Sequence, residues 1–287
     1  MIQFFDDLEL NNPVLIAAFQ GWNDAGDSAS FAASHLARVW DAQRIASIDP
    51  EEFYDFQNMR PNVRLIDGET RNLVWPTNEF WAATTQDEKH DILILQGIEP
   101  NLKWRTFSQL VVDVAQRFEV SFALTLGALL ADVPHSRPVP VTATAVDQEL
   151  IARLGLARSR YEGPTGIVGV LHDALARQGI PAASLWAAVP HYLAVSPNPK
   201  AALALVDKTV ELTRIPADTG ELHAATQAYE DRVAEIVDED EDVQNYIALL
   251  EERADEALRE EMVDISDLPS GDAIAEELER FLREHGD

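Results

Sequence analysis

The stretch Val14-Leu15-Ile16-Ala17-Ala18-Phe19-Gln20-Gly21-Trp22-Asn23-Asp24-Ala25-Gly26-Asp27-Ser28 runs from an unbroken apolar segment into a polar turn that carries two glycines. Its apolar part, residues 14–19, is too short for a helix and predicts a strand. The residues beyond the turn, 29–40, place apolar side chains at helical spacing, so the unit reads strand, turn, helix. The same alternation recurs outward along the chain. Strands are predicted at 44–48, 91–96, 121–126, 139–146 and 184–193, and helical stripes at 107–118, 167–175 and 203–210. Phe107, Leu110, Val111, Val114 and Phe118 illustrate the second kind, with spacings of 3, 1, 3 and 4 that fall on one helix face. Short strands separated by helices give an α/β fold with a mostly parallel sheet covered by helices. Residues 63–86 interrupt the pattern. Asp67-Gly68 marks a turn there, and Val63, Leu65, Leu73, Trp75, Phe80 and Trp81 predict short antiparallel strands, an excursion at one sheet edge.

Charge divides the chain. Of its 287 residues 22 are basic and 50 acidic, a formal net charge of −28. Such a charge repels the phosphate backbone of nucleic acids and the anionic face of a membrane, so neither is an expected partner. Residues 218–287 hold 24 of the acids and only 5 of the basic residues. This region opens after Ile215-Pro216-Ala217-Asp218-Thr219-Gly220, where proline stops one helix and Thr219 is placed to cap the next. Leu222, Ala225, Tyr229, Val233 and Ile236 form one apolar stripe, and Val243, Ile247, Leu250, Ala254, Ala257 and Leu258 another. The run Asp238-Glu239-Asp240-Glu241-Asp242 between them suits the positive end of the second helix. The expected organisation is a core at 1–217, an acidic helical hairpin at 218–265, and a linker with a short tail helix at 266–287. Ile274, Leu278, Phe281 and Leu282 carry that last pattern. The chain has no cysteine, which excludes disulfides, thiolate zinc sites, iron–sulfur clusters and a cysteine nucleophile. No apolar run approaches the roughly 20 residues that span a bilayer, and the N-terminus lacks a signal-peptide plan, so a cytoplasmic location is expected.

Chemistry-bearing residues gather where predicted strands end. Trp22, Asn23, Asp24 and Asp27 follow the first strand. Ligands of open α/β sheets bind at that edge, although Asn23 or Asp24 capping the next helix accounts for the same residues. Glu99, Asn101, Trp104 and Arg105 follow the strand at 91–96, with Arg105 suited to a bidentate carboxylate pair and Trp104 to a flat apolar wall. His135 and Arg137 sit in the proline-rich loop after the strand at 121–126, and His135 beside Asp132 or Glu99 would make an acid–base pair. His191 adds a polar residue at the end of the last strand. Gly163, Gly166 and Gly169 match a dinucleotide fingerprint in number but not in spacing, and close helix-on-sheet packing explains them better. There is no phosphate loop, Gly-x-Ser-x-Gly, His-Glu-x-x-His or calcium loop. Neither a metal nor a cofactor is expected.

Four segments together carry a resemblance: 21–27 (GWNDAGD), 97–105 (GIEPNLKWR), 125–135 (TLGALLADVPH) and 161–166 (YEGPTG). In this order they resemble the PAC2 family, named for a proteasome assembly chaperone, and in particular its actinobacterial branch, over residues 1–260. The resemblance implies a three-layer α/β/α fold akin to nucleoside-phosphorylase-like folds, followed by a helical hairpin, in a homo-oligomer. It also implies protein partners, since eukaryotic and archaeal relatives act as proteasome assembly factors, often through a C-terminal tail of hydrophobic residue, tyrosine and any residue. This chain ends Glu284-His285-Gly286-Asp287, so direct tail docking is not expected. Two functions of different class follow. The preferred one is a non-enzymatic, assembly-chaperone-like interaction module. Its rival is an enzyme or nucleotide-like ligand binder whose pocket collects the strand-end residues above.

Overall fold

A computed structural model describes residues 1–266 other than Asp7, residues 86–88, Ala194 and Glu239, and residues 260–266 by their helix alone. The strands are β1 (Ile2–Phe4), β2 (Val14–Gln20), β3 (Gln43–Ile48), β4 (Asn62–Ile66), β5 (Thr70–Val74), β6 (Asn78–Ala83), β7 (Ile92–Ile98), β8 (Phe122–Ala131), β9 (Val141–Ala145), β10 (Ala157–Arg158) and β11 (Ala182–Pro190). The helices are α1 (Ser28–Val39), α2 (Trp104–Arg117), α3 (Gln148–Leu154), α4 (Ile167–Arg177), α5 (Pro199–Thr213), α6 (Gly220–Val237) and α7 (Glu241–Ser266). Two compact units result, Met1–Ile236 and Val237–Asp287.

The first unit is built on one sheet of order β1-β3-β6-β7-β2-β8-β11-β9-β10. Its centre, β7-β2-β8-β11, is parallel, while β1, β3 and β6 on one side and β9 against β11 on the other pair antiparallel. In β2, Val14, Ile16 and Ala18 face one core and Leu15, Ala17 and Phe19 the other. A strand covered on both faces has no polar side to alternate with, which is why its sequence is continuously apolar. The first core takes Ala29, Ala32, Ala33 and Leu36 of α1 with Ala201, Leu205 and Val206 of α5. The second takes Phe107, Val111 and Val114 of α2 with Ile167, Val168 and Leu171 of α4. Helix, sheet and helix thus form the three expected α/β/α layers.

The structure redraws three of the expected strands. β8 runs on through Gly127 to Ala131, five residues past the expected end. A Cβ at Gly127 would lie 2.7 Å from the ring of Trp186, its register partner on β11. β11 in turn closes at Pro190 rather than at 193. The excursion expected over 63–86 is two things, Gln86 lying outside the described residues. β4 and β5 form a separate ribbon around Asp67-Gly68, whereas Phe80 and Trp81 belong to β6, which lies inside the main sheet between β3 and β7.

In the second unit, α7 starts at the acidic run, where Asp240 Oδ1 accepts the backbone N–H groups of Asp242 and Val243 at 2.9 and 3.3 Å. A carboxylate at that end complements the helix dipole. Glu239, the linker residues Pro269, Ser270 and Gly271, and the tail pattern at Ile274, Leu278, Phe281 and Leu282 lie outside the described residues.

Candidate functional site

The helix after β2 packs in the first core and the helix after β7 in the second, so the chain leaves these neighbouring strands toward opposite faces. That arrangement opens a crevice beyond the strand ends, the usual ligand position of an open α/β sheet. Here the crevice is bridged from within. Glu99, just past β7, accepts a hydrogen bond on Oε1 from Asn23 Nδ2 at 3.1 Å and another from the backbone N–H of Ile167 at 2.8 Å. Ile167 is the first residue of α4, so the chain's own carboxylate sits where a helix N-terminus would otherwise attract an anion. Gly166 permits the approach: a Cβ there would fall on Asn23 Nδ2 and 2.6 Å from Glu99 Oε1. Asn23 is 3% exposed, and its carbonyl accepts the N–H of Ala128 on β8 at 2.8 Å. Two strand ends, the body of β8 and one helix start are thereby tied together.

The other candidate residues are held separately. Asp24 turns back onto α1, its Oδ1 accepting from Ala29 N at 2.6 Å and Ser30 N at 3.3 Å. Asp27 accepts a hydrogen bond from Ser196 Oγ. Asn101 Oδ1 accepts from Asp55 N at 3.0 Å, and Trp104 Nε1 donates to the carbonyl of Pro100. Arg105 is exposed on the first turn of α2. The His135 ring meets the Tyr192 hydroxyl at 2.9 Å, and its carbonyl takes Lys200 Nζ at 2.6 Å. The imidazole within 3.2 Å of Asp132 is that of His191. Arg137 is half-buried beside Ser136. A cavity lined by His135, Asn198, Lys200 and Tyr229 has about 10 Å³, room for one water. The strand-end residues therefore share an edge without sharing one pocket. Trp22, by contrast, is 66% exposed, and Leu129 and Leu130 of β8, Leu102 and Tyr161 are exposed around the same edge.

Burial raises the pKa of Asp24 above the ordinary carboxylate range, against the opposing hydrogen bonds from Ser30 and Ala29. A carboxyl raised in the folded state favours the fold fully below its unfolded pKa and loses that contribution as pH rises through the folded one. The melting temperature of the wild type relative to Asp24→Asn is therefore expected to fall as pH increases from about 4. A difference that stays constant across that range would sink this assignment.

Away from this edge lies a larger groove, of about 600 Å³, lined by residues 146–150, Arg153, His172, Ala176 and residues 179–182. Among the described residues no group of three or more His, Asp or Glu side chains is placed to hold a metal ion, and no helix is long and apolar enough to cross a membrane.

A three-layer α/β protein with a bridged strand-end crevice is the class that fold and site define. The family model described as PAC2 family matches residues 18–237, and the chain belongs to that family. A PAC2 family protein from Streptomyces avermitilis is 44% identical, with a TM-score of 0.77 over 82% of this chain and 99% of that one. A proteasome-assembly chaperone homologue from Mycobacterium tuberculosis is 43% identical, with a TM-score of 0.75 over the same shares. PbaB, an archaeal proteasome activator from Pyrococcus furiosus, shares the fold at 18% identity, with a TM-score of 0.68 over 82% of this chain and 98% of that one. No curated protein matches the chain.

Proposed function

We propose that this chain is a non-enzymatic, assembly-chaperone-like interaction module that works as a homo-oligomer in the cytoplasm, with protein partners and neither nucleic acid nor membrane among them. The observation that carries the reading is the filled crevice. Glu99, which the rival reading assigns to its pocket, is taken up by Asn23 and by the α4 N-terminus, while Trp22, Leu129, Leu130 and Tyr161 stay exposed around it. Exposed apolar patches mark interaction surfaces, and Trp and Tyr are the residues that most often dominate their energetics. The relative from Mycobacterium tuberculosis supports a proteasome subunit as the partner.

The test mixes the purified full chain with proteasome core-particle subunits from its own organism and reads the products by size-exclusion chromatography with light scattering. Co-elution is expected, and the double variant Trp22→Ala, Leu130→Ala is expected to weaken it by about tenfold or more. Absence of any complex, or a complex indifferent to both substitutions, would overturn the reading. A monomer mass for the chain alone removes its oligomeric part.

A further inference from the structure

Among the described residues β4 and β5 pair only with each other, and the strand-end site makes no use of their ribbon. Every residue of β4 is exposed, and so is every residue of β5 but Val74. The turn between them is set by Asp67 and Gly68, both at positive φ (53° and 77°), with Glu69 N donating to the Ile66 carbonyl at 3.1 Å. The register then sorts the side chains. Val63 stands opposite Leu73 and Leu65 opposite Arg71 on one face, while the other face carries Asn62, Arg64, Thr70 and Asn72 and is mostly polar.

Val63, Leu65 and Leu73 are 46%, 60% and 53% exposed. Single exposed apolar residues are ordinary, but a contiguous patch marks a surface that something covers. A two-stranded ribbon is also marginal in water by itself and gains stability when an apolar face is packed. Among the described residues nothing covers this face. At its base Trp75, whose backbone the following Pro76 biases to the extended form, meets Phe56 edge-on at 4.9 Å between ring centroids, and Phe56 packs on the second core. The ribbon is thus rooted in the core at one end and uncovered beyond it.

Charge decides what fits. The two strands carry Arg64 and Arg71 and no acid, and the acids, Asp67 and Glu69, stand in the turn. Among the described residues neither Arg71 nor Asp67 joins an ion pair. An acidic partner would answer Arg71 but repel Asp67, and a basic one the reverse. A second copy of the same face answers both. With β4 of one copy laid over β5 of the other, Val63 meets Leu73 and the methylene stem of Arg71 lies on Leu65. Its guanidinium then reaches Asp67 of the other copy, two residues beyond that Leu65. A two-fold axis makes every one of these contacts twice.

We propose that the ribbon of β4 and β5 joins two copies of this chain, apolar face on apolar face about a two-fold axis. This names a surface for the oligomeric part of the reading above and rests on that part.

The test follows the mass of the purified full chain by sedimentation across a concentration series, beside the double variant Leu65→Glu, Leu73→Glu. The wild type is expected to associate, and the variant to do so about a hundredfold more weakly, since each substitution counts in both copies. The chain has no cysteine, so introduced thiols report on this contact alone, even where the double variant fails to fold. Val63→Cys and Leu73→Cys, mixed before oxidation, are expected to cross-link as the mixed pair in preference to either variant with itself. An oligomeric wild type whose double variant keeps its mass overturns this proposal and leaves the oligomer standing, whereas a monomeric wild type removes both. Like-with-like cross-links prevailing over mixed ones overturn it as well. So does a double variant that self-associates normally but no longer co-elutes with proteasome core-particle subunits, which would give the ribbon to a foreign partner.

Discussion

Gly97→Ala is expected to lower the melting temperature of the first unit by roughly 10 °C, from an overpacking cost of about 3 kcal/mol. Gly97 lies on β7 between Phe19 of β2 and Asn78 of β6. A Cβ there would fall on the Thr77 carbonyl and Asn78 Oδ1, and 2.7 Å from Asn78 Cα. Two of these contacts are backbone, so no rotamer change relieves them. Moving the start of β6 away breaks bonds that hold it in place, Ile98 N to the Thr77 carbonyl at 3.3 Å and Asn78 Nδ2 to the Ile98 carbonyl at 3.1 Å. Tyr54 is drawn in as well, since its hydroxyl donates to the Ile98 carbonyl and accepts from Asn78 Nδ2. A thermal or chemical melt of the variant decides the matter, and a change of only a degree or two would show that β6 gives way freely.

The second large effect is expected at Glu99. Alanine there removes both hydrogen bonds of the crevice bridge and leaves Asn23 Nδ2 and Ile167 N without them. Two deprived donors cost about 3 kcal/mol together, again roughly 10 °C in a unit of this size. Glu99→Gln keeps a side-chain oxygen at the same reach and is expected to recover most of the loss, short of the charge–dipole contribution of about 0.3–1 kcal/mol. Glu99→Asp, one methylene shorter, is expected to behave like alanine. An alanine variant that melts with the wild type would mean that the bridge holds nothing together.

The elements that sequence reading caught are those whose burial leaves a periodic trace. β2 is apolar throughout because both of its faces are covered, and α2 shows its stripe because one of its faces is. β6 was legible only in part. Phe80 and Trp81 read as strand residues, but the Asp67-Gly68 turn nearby assigns them to the edge, and nothing local tells that a strand inserts between two others. The strand expected at 121–126 stops before Gly127, and a glycine demanded by a ring on the neighbouring strand leaves no apolar trace that would carry the strand onward. At the strand ends Asn23 and Glu99 stand out, yet these residues lie 76 positions apart and meet only because β2 and β7 become neighbours. α3 is too short for a telling apolar stripe, and only its Asp147 cap and the glycine at 155 mark its ends in the sequence. His172 left no signal at all. It sits on α4 between Val168, Leu171 and Leu175, where the spacing announces core, and only the neighbouring sheet supplies the hydroxyls that make it polar business.

The division of the interior by the sheet has a consequence for how this chain varies. The side chains of β2 alternate between two packed compartments, one shared with α1 and α5 and the other with α2 and α4. A change of volume in one compartment is absorbed by neighbours on that side, because the hydrogen-bonded backbone between them does not yield. Residues on opposite faces are then free to drift on separate clocks. The crevice bridge, which ties β2, β7, β8 and α4, is where the two histories must agree.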